Sequence, residues 1–392
     1  MTETASAQPT IAGVSQGGAL PRGAVGVGAY YLAHFLAAVF PVTAGLLLYG
    51  WRSLGVIAVV MGVTILATTI WRGVGLRGGT LRYLDNLWYA LLLALMLPAT
   101  LLASLNGWEI VIAAPLLMVM LRWALPAIGH WMMHPALLAY LLIALAFASS
   151  LNADRILNRD HLLVGELMRA GAPSDRVAGT DSWFSRVRNP TDADYVEHVT
   201  DRLTRYTRGL ETPSRRWLPL SVLLRDIMPP LEDFIVAGQP GPIGASSTLA
   251  VIICGLFLLY RGVIDFRIPL IGCLSAYVTF IMLPIPTVIA AGPQWHWAVF
   301  RLPEVGPAVA ITFVNYEMLA SPLIFMLFLL ATTPIICPMK SRSRTIFALV
   351  LGVIAAAFQL YVSVEYGPYL ALFLVSVLSA ELDRWFGAPM RR

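Results

Sequence analysis

Few side chains in this chain of 392 residues could do chemistry, and they fall in a handful of places. The first is the run PGPIGASSTLAV, Pro240 to Val251. Gly238, Gly241 and Gly244, with Pro240 and Pro242, make a turn that lets backbone approach closely. Ser246, Ser247 and Thr248 then open an apolar segment. Two readings share the same physics. A serine there caps the free N–H groups of a first helical turn. A helix N-terminus preceded by glycines and carrying hydroxyls also favours an anionic group such as phosphate.

The second place is Glu317, in the stretch FVNYEMLASP beside Asn315 and Tyr316. A carboxylate inside an apolar segment is costly unless it is paired or meets water. It reads as a cation or proton site, or as a partner for a cofactor, against a buried structural hydrogen bond. His130 and His134 in IGHWMMHP are four apart and could share a helix face toward a metal or a haem edge. Pro135 follows directly and no third ligand is evident, so no metal site is expected. His34 stands alone in an apolar run and reads as structural. Cys254, Cys273 and Cys337 lie in or at the end of apolar segments without CxxC spacing, which argues against disulfides and cysteine-ligated clusters.

The elements that must position these residues are membrane helices. The chain is 58% hydrophobic and 12% charged, where soluble domains carry about 25% charged residues. A spanning helix needs ~20 mostly apolar residues. Ten candidates fit: 26–50, 54–71, 84–104, 108–126 and 133–151, then 245–263, 268–291, 306–333, 344–363 and 367–385. Pro115 and Pro322 predict breaks within two of them. With the N-terminus inside, thirteen Arg and Lys fall on cytoplasmic segments and two, Arg52 and Arg301, on short outer loops. That asymmetry puts both termini in the cytoplasm; the expected location is the bacterial inner membrane. Trp131, Trp295 and Trp297 read as interfacial belt residues.

Residues 1–25 read as a disordered cytoplasmic tail without the basic start of a signal peptide, and 386–392 as a second tail. Residues 152–243 hold twelve Arg and thirteen Asp or Glu. They form a polar insert, extracytoplasmic by parity, with amphipathic stretches such as DYVEHVTDRLTRYTRGL and no phosphate-binding loop. The expected architecture is therefore an all-α integral membrane protein of about ten helices. Transmembrane half 1 covers 26–151 and half 2 covers 244–385, and an odd number of spans per half makes the halves inverted repeats. No nucleic-acid partner is implied; the lipid bilayer is.

The segment EDFIVAGQPGPIGASSTLAVIICGLFLLYRGVIDFRIP, running to Pro269, resembles the central segment of a family of membrane subunits. That family comprises RnfD of the Rnf electron-transport complexes and NqrB of the sodium-pumping NADH:quinone reductase (Nqr). Other stretches agree in order. LWYALLLALMLP, running from Leu87, is similar to a family span ending in Leu-Pro. PAIGHWMMHPALLAYLLI is similar to the family's Phe-Asn-Pro-Ala segment, FLLATTPIICP to its Thr-Asp-Pro segment, and SAELDRW to its closing Asp-Arg. The resemblance implies a membrane subunit that carries flavin and passes electrons, coupled to ion movement by a larger complex, with other redox subunits and a flavin transferase as partners. It implies FMN joined by a phosphoester at the position of Ser246, with Gly244 before it and Thr248 as a shifted-register alternative. It also allows a second flavin.

Three departures stand against the family pattern. Ser246 replaces the attachment threonine, and Pro240 the acidic residue six before it. His134 and Thr333 replace the asparagine and aspartate of the other two motifs. A divergent member serving a different partner fits these departures. The same spans also suit a small-solute channel or transporter with Glu317 lining its path, or a cofactor-free scaffold such as occurs in secondary-metabolite pathways.

Overall fold

The computed structural model describes residues 27–49, 51–75, 90–97, 108–128, 133–147, 242–289, 292–298, 306–319 and 321–386, with 224, 231 and 235. The expected tail 1–25, all but the first residue of the tail 386–392, and nearly all of the insert 152–243 lie outside the described residues, as do His130, Trp131, Gly238, Pro240 and Gly241.

The helices are α1 (Val27–Tyr49), α2 (Trp51–Gly75), α3 (Trp108–Ile128), α4 (Pro135–Ala146), α5 (Thr248–Tyr260), α6 (Arg267–Met282), α7 (Gly306–Leu319), α8 (Leu323–Phe325), α9 (Ser341–Tyr361) and α10 (Gly367–Trp385), with a helical stretch over 90–97. Most are apolar on every side. Leu36, Phe40, Leu66, Ile70, Leu270 and Leu274 project outward alongside a fully buried core. Rows of exposed large apolar side chains on apolar helices suit lipid surroundings rather than water. By length and composition, 29–47, 53–70 and 341–361 can each cross a bilayer, and α7 with α8 makes a fourth when taken as one bent span. Shorter apolar helices accompany them.

Pro322 breaks the span around Glu317, as the sequence predicts. It begins α8, which runs into a π-helical turn, Met326–Leu330; α7 and the piece after the break lie at 61° to each other. Pro115 does not break α3, which is continuous through it. The span expected over 268–291 is shorter than its apolar run suggests. Leu283 precedes Pro284 and takes an extended ψ of 143°, the conformation a following proline imposes. The chain then forms a two-stranded antiparallel hairpin, β1 (Ile285–Ile289) and β2 (Gly292–His296), with Ile285 paired to His296. Trp295 and Trp297 are exposed there, in keeping with an interfacial position.

Small residues let the helices approach. A Cβ on Gly352 of α9 would fall 1.9 Å from Ser275 Oγ and 2.4 Å from the Gly272 carbonyl oxygen of α6. Such contacts are a membrane-helix device, since lipid supplies no hydrophobic drive for helices to associate. The packing order is the same in both halves. α2 packs on α3 and α3 on α4; α6 packs on α9 and α9 on α10; α1 and α5, the leading helices, pack on each other. α4 and α10 both open with a proline in the first turn, Pro135 and Pro368, and meet through Tyr140 and Tyr369, ring centroids 5.1 Å apart.

One end of the second half is latched by polar groups. Arg344 Nη1 donates to Asp265 Oδ2 (2.9 Å), and Arg344 Nε to the Pro338 carbonyl (2.8 Å). Asp383 of α10 accepts from the backbone N–H groups of Met339 and Lys340, where α9 begins. At the opposite end Tyr361 Oη donates to the Pro284 carbonyl (2.8 Å). α6 and α9 therefore run parallel, with α10 antiparallel to α9. Tyr30, near the start of α1, donates to the Thr332 carbonyl at 3.5 Å, and Gly45, fifteen residues or ~22 Å along the helix, touches Ile243. The start of α1 and the finish of α10 thus lie at one end, and the Ser246 segment at the other.

Candidate functional site

The serine run is a structural joint. Ile243–Ala245 form a single 3-10 turn and Ser246 follows it, its Oγ donating to the Ile243 carbonyl (3.0 Å). Ser247 has extended backbone and is the N-cap of α5, its Oγ accepting from Ala250 N–H (3.3 Å). Ser246, Ser247 and Thr248 are 7%, 4% and 5% exposed. Gly244 is buried in the turn. The whole joint is seated on α1, where only a glycine at 45 leaves room for the Ile243 carbonyl.

This arrangement does not fit an FMN phosphoester on Ser246. The hydroxyl is covered and already bonded, the neighbouring hydroxyl is committed as a cap, and a transferase needs an accessible oxygen.

The two other sequence candidates mark separate places. Beside α1, His134 occupies the N-cap position of α4 without a side-chain cap bond. It is 1% exposed, and His34 of α1 is fully buried within electrostatic reach of it. All four ring nitrogens of this pair lack a hydrogen-bond partner among the described residues. The Tyr30 ring stacks on His34 at a centroid distance of 4.7 Å, and its hydroxyl reaches the Thr332 carbonyl, which puts the seam beside the Thr332–Pro334 bend. Thr333 is buried, and its Oγ1 donates to the Leu330 carbonyl (2.7 Å). Native interiors satisfy nearly all buried polar atoms, so four orphan nitrogens in one seam call for an explanation.

The third place is Glu317, 1% exposed near the C-terminal end of α7. Gln359 of α9, equally buried, donates through Nε2 to Glu317 Oε2 (2.8 Å) and to the Glu317 carbonyl (2.6 Å). Glu317 Oε1 and Gln359 Oε1 have no partner among the described residues. Asn315 is only half-buried, where Glu317 and Gln359 are sealed. Sequence reading misses Gln359 and the pairing of His34 with His134. The available signal is that each is an isolated polar residue in an apolar helix; its partner lies 42 or 100 positions away. Among the described residues no group of three or more His, Cys, Asp or Glu could hold a metal.

Comparison with known proteins agrees with this build of apolar helices. Residues 22–389 match the NQR2, RnfD, RnfE family. The chain belongs to that family of multi-pass membrane subunits. Among its relatives, a subunit of the Na(+)-translocating NADH-quinone reductase of Chlamydia abortus is 26% identical over 154 residues, 39% of this chain. The chain spans 29% of that relative's length in the match, as befits a divergent member.

Proposed function

We propose that this chain is the membrane subunit of an Rnf/Nqr-like electron-transport complex, working with FMN and with other redox subunits in the bacterial inner membrane. The observation that carries this reading is the family match, which runs almost end to end. In it the ten spans form two inverted halves, a plan the repeated packing order of α2, α3, α4 and α6, α9, α10 supports. The termini are cytoplasmic, in line with the arginine asymmetry.

Within that subunit the buried polar places divide the work. The seam of Tyr30, His34 and His134 is the cofactor contact: a stacking ring and orphan imidazole nitrogens suit the carbonyls and ring nitrogens of a flavin. Glu317 is the position that handles positive charge, since a carboxylate inside the membrane is a functional group by default. The flavin is held without a bond to Ser246.

The test is purification of the complex from native membranes in mild detergent. Flavin and further redox subunits should accompany the chain, and the flavin should leave on denaturation. A preparation with neither flavin nor redox partners contradicts the proposal.

A further inference from the structure

The Glu317–Gln359 pair is complete on one edge and open on the other. Gln359 Nε2 uses both its N–H groups on Glu317, one on the carbonyl and one on Oε2. What remains are two acceptors, Glu317 Oε1 and Gln359 Oε1, both buried and both bare. Two lone-pair-bearing oxygens cannot satisfy each other, and no donor among the described residues reaches either. A hydrogen on Glu317 Oε1 turns one bare acceptor into a donor, and the amide oxygen of the same bonded pair is an acceptor without one.

We propose that Glu317 holds a resident proton, donated to Gln359 Oε1, so that acid and amide close a ring of two hydrogen bonds. The proton comes from water and the site is then neutral. This deepens the reading of Glu317 as the charge-handling position and rests on it.

Two observations favour a proton over a metal cation. The site offers two open side-chain oxygens, whereas hard cations such as Ca2+ and Mg2+ gather about six or more. The environment also lacks charge. Tyr316 beside Glu317, and Tyr361, Glu365, Tyr366 and Tyr369 following Gln359, are the titratable groups nearest the pair along the chain. None acts on Glu317, which feels only its burial and the Gln359 bond. A bare carboxylate there would be an uncompensated buried charge.

The ring predicts an asymmetry between substitutions. Glu317→Gln keeps both hydrogen bonds, amide to amide, and should fold with unchanged thermal stability. Gln359→Leu keeps the proton but frees the carboxyl. The test is infrared spectroscopy of the full chain in detergent at neutral pH, in potassium and then sodium buffer. The expected wild-type spectrum contains a neutral carboxylic-acid C=O band that is absent from Glu317→Gln, moves to higher frequency in Gln359→Leu, and is indifferent to sodium. Ionised carboxylate bands assigned to Glu317, or a neutral band lost on adding sodium, would overturn the proposal. Should Glu317→Gln fail to fold, Gln359→Leu against wild type decides alone, an unmoved or absent band overturning it. None of these outcomes touches the flavin and partner assay, so the two readings fail separately.

Discussion

The carbonyl oxygen of Ile243 lies 1.9 Å from the point a Cβ on Gly45 would occupy. This contact joins the two leading helices of the chain and seats the serine run against α1. Gly45→Ala should therefore destabilise the subunit by about 1–3 kcal/mol, the usual cost of overpacking, seen as a lower thermal midpoint in detergent. Gly62 of α2 is the control: a Cβ there meets nothing within 4 Å. Gly62→Ala should be neutral or gain up to about 1 kcal/mol from helix propensity. Equal effects at both positions would contradict the packing.

The hydroxyls of the joint have separate tasks. Ser247→Ala removes the α5 cap and should cost about 0.5–2 kcal/mol. Ser246→Ala removes one internal hydrogen bond and should cost about 0.5–1.5 kcal/mol. Neither should change the flavin content, and the peptide containing Ser246 should have its unmodified mass. A flavin-bearing Ser246 peptide would show that the joint leaves its seat to be modified.

Asp383 ties the end of α10 to the start of α9 through three charge-assisted bonds from two backbone N–H groups. Hydrogen bonds to a charged group are worth about 1.5–3 kcal/mol, so Asp383→Ala should lose about that much. Asp383→Asn should lose less, since one acceptor oxygen remains. Thermal unfolding of the purified variants checks the order; an Asn variant as weak as Ala would argue for charge rather than bonding.

The histidine seam separates a structural from a functional role. Leucine at position 34 or 134 removes orphan nitrogens whose burial costs about 1–3 kcal/mol each, so the cofactor-free protein should be as stable as wild type or more so. The flavin content of the complex should fall in the same variants. Variants that lose stability and keep flavin would assign the seam to the core.

Much of this was legible in the residues themselves, for reasons that can be named. Runs of about 20 apolar residues predict the long helices α1, α2 and α9, because hydropathy is local information. A serine before an apolar run predicts a cap, and Ser247 is one. Pro322 predicts a break and makes one, whereas Pro115 does not, since tertiary packing decides whether a proline ends a membrane helix. The hairpin after Met282 is hidden because IPTVI continues an apolar run without a change in hydropathy. The pairs His34–His134 and Glu317–Gln359 are invisible for a different reason. Each joins residues far apart in sequence, and only the folded chain brings α1 to the start of α4, or α7 to the end of α9.

The central claim is that this chain is a working subunit of an Rnf/Nqr-like electron-transport complex. Its most direct test is the redox-induced absorbance difference spectrum of the complex purified from native membranes through this chain. The account predicts bound flavin, releasable by denaturation, that is reduced when an electron donor to the complex is added and reoxidised by its acceptor. A purified native assembly with no flavin signal under reduction would contradict it.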